Sequence, residues 1–194
     1  MLKQKKYFPA LIVTVIIMSV FIILTVIRFK QPKIQYMQAS WAYNYADIEE
    51  ISKASDLIAI IRVDGKSSEY IDQGIPFTEY KTTIIDPIYN STNNQEIVIK
   101  MTGCDNSSKH MEIADDPLLK PKEEFMIFAK ENEDGTYTIL SGPQGRLVYS
   151  DGTLNSLQMV NARIREYNPD TNIKIENADA EKLRNQIQGY LKVD

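Results

Sequence analysis

The sequence predicts a mainly β (α+β) domain carried behind an N-terminal transmembrane helix. Three observations predict it. Phe8 to Ile27 is a continuous uncharged apolar run. Between residues 57 and 150, short β-branched and aromatic segments alternate with Gly, Asn and Asp turns. After residue 154 the apolar period changes from two to about 3.6.

The first segment has the length of a membrane anchor, since ~20 residues at ~1.5 Å rise cross a hydrocarbon layer of roughly 30 Å. Ten of its residues are Val or Ile. They would weaken a helix in water, but in lipid only a helix satisfies the backbone. Pro9 fits the first turn. Arg28-Phe29-Lys30 follows where a cleavable signal would place small residues, so the segment reads as an uncleaved single-pass signal anchor. Lys3, Lys5 and Lys6 on one side are matched by Arg28, Lys30 and Lys33 on the other. The short basic tail 1–7 is assigned to the cytoplasm, which puts the C-terminal domain outside the cell membrane. Residues 28–46 are then a juxtamembrane linker, with Trp41, Tyr36, Tyr43 and Tyr45 available to headgroups or to the domain.

The six basic residues among positions 1–33 leave 16 basic and 26 acidic residues downstream, a formal charge of −10. Such a surface opposes both nucleic acid and anionic lipid headgroups as its main ligand. A single cysteine, Cys104, excludes an internal disulfide, and about 160 residues suffice for one domain with a core. The excess of Lys over Arg, 16 to 6, with abundant Ile and Asn, suits a low-GC Gram-positive bacterium.

The β domain is expected over 47–153. Asp47 and Glu50 read as a capping box for a helix of about two turns. Leu57–Val63 is a buried strand that Asp64-Gly65 closes, and a polar loop of about ten residues follows. Thr78–Ile88 and Glu96–Thr102 pair as a hairpin, with Pro87 at an edge, bulge or end. Residues 103–122 form a long irregular segment. Glu124–Lys130 and Thr136–Ser141 flank the turn Glu133-Asp134-Gly135, and Arg146–Ser150 is the last strand. This count suits a small barrel or sandwich. Residues 154–194 then supply two amphipathic helices packed on it, one with Leu157, Val160, Ile164 and Tyr167, one capped by Asp179 with Leu183, Ile187 and Leu191.

The order Ala54-Ser55-Asp56-Leu57-Ile58, Pro76-Phe77-Thr78-Glu79-Tyr80, Leu119-Lys120-Pro121 ahead of Glu124-Phe125-Met126-Ile127-Phe128, Tyr137-Thr138-Ile139 and Gly142-Pro143-Gln144-Gly145-Arg146 resembles a group of uncharacterised, membrane-anchored exported domains of Gram-positive bacteria. Those domains are similar to OB-like barrels of the netrin and metalloproteinase-inhibitor type. The resemblance spans about residues 54–157 and implies an OB-like β-barrel and an exterior location. The cysteines of the inhibitor family are missing here, so its inhibition mechanism is not implied.

Chemistry is sparse. Cys104 and the lone His110 lie six residues apart on one segment, whereas enzymes with a Cys-His nucleophilic pair usually place the thiol at a helix N-terminus and the histidine far along the chain. No catalytic and no cofactor-binding residue is assigned. His110, Asp115 and Asp116, with Asp105 and Glu112 nearby, are the weak candidates for a metal, but their spacing fits no EF-hand and a solvated acidic loop is the plainer reading. Gly142–Arg146 is a turn or bulge rather than a phosphate loop. The expected role is a non-catalytic extracytoplasmic binding module. It is tethered through 8–27, needs no cofactor, and recognises an envelope protein or cell-wall ligand rather than nucleic acid. The alternatives are a metal-dependent or hydrolytic envelope enzyme using 103–122, and a cytoplasmic-facing regulatory domain.

Overall fold

The computed structural model describes residues 8–29, 33–157 and 173–192. Helix α1 is Phe8–Phe29, and strand β1 is Ile34–Met37. Helix α2 (Ile48–Ala54) precedes β2 (Leu57–Asp72), β3 (Ile75–Tyr89), β4 (Glu96–Asp105), β5 (His110–Ile113), β6 (Glu124–Glu131) and β7 (Tyr137–Ile139). A 3-10 turn at Gly142–Gly145 leads to β8 (Arg146–Ser150), β9 (Thr153–Ser156), β10 (Ala178–Asp179) and α3 (Ala180–Tyr190). The helix expected from Leu157 through Tyr167 falls, beyond Leu157 itself, outside the described residues.

Among the described residues no helix is long and apolar enough to cross a membrane. The side chains of α1 are described over 12–23, a stretch of only ~18 Å at ~1.5 Å per residue, while its backbone continues for 22 residues. Every large apolar side chain described along it, Ile12 through Ile23, is exposed.

Five strands close a barrel in the order β2-β3-β4-β7-β6. Antiparallel ladders join β2 to β3, β3 to β4, β6 to β7 and β2 to β6, and one parallel pairing, Ile99 with Tyr137, joins β4 to β7. Strands β8, β9 and β10 extend the sheet beyond β6, and β5 and β1 extend it beyond β4.

Alternation dictates where the core lies. Leu57, Ala59, Ile61 and Val63 of β2 point into the barrel with Ile84, Ile97, Ile99, Phe125, Ile127 and Ile139. The intervening Ile58 and Ile60, with Met126 and Phe128 of β6, face outward into a second core. That second core is roofed by Ile48 and Ile51 of α2 and by Leu183 and Ile187 of α3. Leu57–Ile61 of β2 and Phe125–Ala129 of β6 are therefore buried on both faces, which is why these stretches are continuous apolar runs. The two helices begin as the sequence predicts. Asp47 accepts from the Glu50 amide at 2.9 Å and Asp179 from the Lys182 amide at 2.8 Å.

Four expectations change. Arg146–Ser150 is not the last strand, because β9 pairs with it and β10 pairs with β9. Asp64-Gly65 does not end β2, and no ten-residue loop follows. Register shifts at Val63/Gly65 and Lys66/Ser68 absorb the polar residues as bulges, and the ladder runs on to a two-residue turn at Gln73-Gly74. Both turn residues have positive φ, 49° and 85°, the geometry that matches hairpin twist. Residues 103–122 are not one irregular segment, because β4 continues to Asp105 and pairs with β5 as Asp105–His110, Cys104–Met111 and Gly103–Glu112. Within 28–46, Ile34–Met37 pairs in parallel with His110–Ile113, so the folded unit begins at residue 34.

Gly103 makes the β4 corner possible. Its φ is +135°, and a Cβ there would meet the Met111 carbonyl oxygen at 2.5 Å, whereas a Cβ on Gly65 would meet nothing. Gly103→Ala should cost about 3 kcal/mol from backbone strain plus overpacking. Gly65→Ala should stay within about 0.5 kcal/mol. Urea unfolding of the detergent-solubilised chain, followed by tyrosine fluorescence, measures both.

Candidate functional site

The polar residues of the former loop gather at the end of the barrel where β4 passes into β5. Cross-strand partners share a face and sequence neighbours do not, so Asp105 and His110 lie together while Cys104 lies with Met111 on the opposite face. Cys104 is buried and His110 does not face it. No thiolate-imidazole pair is assembled.

His110 is instead set between two carboxylates. Its Nδ1 is 3.1 Å from Asp105 Oδ1, and its Nε2 is 3.5 Å from Glu112 Oε2. The second approach is close enough for charge pairing but is not aligned as a hydrogen bond, and Glu112 Oε2 accepts from the Leu118 amide at 3.2 Å. Asp105 is held in turn by β2. Its amide donates to Glu69 Oε2 at 3.0 Å, and Lys66 donates to its carbonyl. Asn106 Nδ2 also donates to Glu69. Partial burial pushes the Glu69 carboxyl up, but the bonds from Asn106, the Asp105 amide and Lys66 outweigh it and hold it below the ordinary 4.5. Tyr80, buried beside Asp105, Glu69 and Glu112, is pushed well up, first by desolvation and then by those charges.

Asp115 and Asp116 go elsewhere. Asp116 is buried against Arg146, with Oδ1 2.6 Å from the guanidinium Nη2, which also donates to the Pro117 carbonyl at 2.9 Å. Arg146 is only 1 % exposed and lies over the Phe125 ring at 5.1 Å. Burial pushes the Asp116 carboxyl above its ordinary value against the pull of Arg146. Asp115 accepts from the Trp41 indole N–H at 3.3 Å. The three weak metal candidates thus have three separate sets of partners. Among the described residues no group of three His, Cys, Asp or Glu side chains is arranged to hold a metal ion.

The Gly142–Arg146 turn proves to be a latch. Trp41 packs flat where a Cβ on Gly142 would stand, and Ser141 Oγ donates to the Tyr43 carbonyl at 2.5 Å. Gln144 receives the Tyr45 amide and donates to the Tyr45 carbonyl, both at 3.0 Å. Trp41 and Tyr45 therefore rest on protein. Of the two alternatives the sequence left open for these rings, headgroups or the domain, they take the domain; the role of the Gly142–Gly145 turn in holding them was not read from the sequence.

A second surface lies on the outer side of the β2–β3 hairpin. The rings of Tyr70 and Phe77 sit 5.9 Å apart, and Lys100 Nζ lies 4.7 Å from the centre of Phe77 and 5.3 Å from that of Tyr70. Beyond them Ile71 is 74 % and Ile75 48 % exposed. A cleft of about 490 Å³ between the start of β6 and the end of β8, lined by Lys122, Glu124, Tyr149 and Asp151 among others, contains none of the His110 cluster.

Two outcomes test these assignments. Arg146→Met leaves Asp116 buried without its cation and should cost about 3–5 kcal/mol, while Arg146→Met with Asp116→Leu should recover much of it. A double-mutant cycle in urea reads the coupling. Glu69→Gln should cost roughly 1 kcal/mol at neutral pH. Because the folded Glu69 carboxyl sits below its unfolded value, its contribution is complete above 4.5 and disappears as pH falls through the folded value. The gap between parent and variant should therefore close on acidification, as read by the urea midpoint against pH.

No family model, curated protein or solved structure matches this chain.

Proposed function

We propose that the chain is a membrane-tethered interaction module. In this reading an OB-like barrel, held outside the cell on a single-pass anchor, recognises an envelope protein or wall component without catalysis. The observation that carries the tether is α1 itself. It is an unbroken 22-residue helix, whose described apolar side chains all lie in solvent, entering the barrel domain at Ile34. At ~1.5 Å per residue its backbone is about 33 Å long, the thickness of a hydrocarbon core.

The OB assignment is supported by the strand order 1-2-3-5-4-1 traced by β2, β3, β4, β7 and β6, with the parallel β4–β7 contact as closure. A non-catalytic role is supported by how the polar groups are used. His110, Asp116, Arg146 and Gln144 are engaged in holding elements together, with no nucleophile beside the imidazole. Recognition is supported by the Tyr70–Phe77–Lys100 surface, where aromatic faces and a cation lie on the outside of a rigid sheet.

Protease treatment of intact protoplasts expressing the full chain tests location and tether together. Degradation of the C-terminal domain, with a cytoplasmic protein left whole, is the expected result. Protection that ends only on lysis would place the domain inside. Release of the whole chain into the soluble fraction would remove the anchor from the proposal.

A further inference from the structure

The hairpin tip at Ile71–Ile75 and the point where the chain enters the domain lie at the same end of the sheet. β4 runs toward the tip, since Thr83 pairs with Glu96 and Phe77 with Thr102. At the far end of β4, Asp105 pairs with His110, and His110 pairs with Ile34. β1 and β5 both run away from that end, so the chain enters β1 on the side to which the tip points. Glu69, level with Thr78 and Met101 in the ladder, reaches this corner with its carboxylate, which accepts from the Asp105 amide. The four further residues to Gln73 carry the tip about 13 Å beyond Glu69. The chain from Phe29 to Ile34 can reach at most about 18 Å. That reach is enough to span the projection of the tip.

The composition of the tip suits that position. Tyr70–Phe77 and Asp72–Ile75 are cross-strand pairs on the outer face, and Ile71 projects on the other face past the rim of the barrel. Exposed isoleucines therefore flank the turn on both faces, with Tyr70 one step behind, where an amphipathic ring meets headgroups. The turns at 90–95 and 132–135 lie at the opposite end, beside Asp56.

We infer that the β2–β3 tip is a second membrane contact, in which Ile71 and Ile75 enter the headgroup boundary of the bilayer that α1 crosses. This rests on the tether reading above. Two contacts, one covalently continuous with β1 and one at the hairpin, fix the orientation of the barrel on the surface and leave its opposite end facing away from lipid.

The test uses the full chain with Cys104→Ser, reconstituted into phosphatidylcholine vesicles. A polarity-sensitive dye is attached in turn at Ile71→Cys, Ile75→Cys, Glu133→Cys and Phe21→Cys. Neutral lipid isolates apolar insertion from charge attraction. Nitroxide-labelled lipid should quench the probes at 71 and 75 several-fold more than the probe at 133, with 21 quenched as the anchor reference. Probes at 71 and 75 as unquenched as 133, with 21 quenched, would overturn the hairpin contact and leave the anchor standing. An unquenched probe at 21 would remove the anchor and this inference with it. Shielding of 71 and 75 from aqueous iodide without quenching by lipid would mean that a second copy covers the tip, and would equally overturn the proposal.

Discussion

The ion pair between Arg146 and Asp116 is the contact on which the arrangement of the rest depends. Neither group can face water, and an isolated charge at such depth costs several kcal/mol, so each fixes the other. Arg146 begins β8, and Asp116 follows β5 by three residues. Their bond therefore ties the outer β6–β8 side of the sheet to the segment that leads from β5 into Leu118 and Leu119 of the barrel core. Ahead of Arg146, Gln144 and Gly142 hold the 41–45 segment. The N-terminal approach, the β5 corner and the β8 edge thus converge on five consecutive residues.

The polar cluster at the β4–β5 corner follows the same logic. A sheet edge that turns back on itself exposes backbone donors at the corner, and Glu69 and Asn106 satisfy them. His110 then sits between Asp105 and Glu112, with one ring nitrogen turned toward each. Residues that in sequence suggest metal or acid-base chemistry are here the fastening of a corner.

Much of this was legible in the sequence where periodicity was strong. The continuous run Leu57–Val63 announced a buried strand, the Glu133-Asp134-Gly135 turn and the 78–102 hairpin follow from alternation and turn chemistry, and Asp47 and Asp179 cap their helices as their positions suggest. What failed was long-range. Asp64-Gly65 has the composition of a turn, but ladder partners on β3 carry the strand through it as a bulge, which no local signal reports. The parallel pairing of β1 with β5 joins residues more than seventy positions apart and leaves no local trace. The partners of Asp115 and Asp116 were hidden for the same reason, since proximity along the chain placed the two aspartates with His110 while the fold sent them to Trp41 and Arg146.

The direction of β1 also has a mechanical meaning. Four consecutive residue pairs join it to β5, all in parallel, and the segment that a tether would pull enters at Ile34, the first of them. A pull along β1 therefore loads the slanted hydrogen bonds of the ladder lengthwise and together, instead of opening them one after another. Had the same strand been antiparallel and entered at a free corner, tension would have unzipped it. On the proposed tether the domain would hang in shear, and load applied at Ile34 would be shared along the ladder rather than concentrated on its first pair.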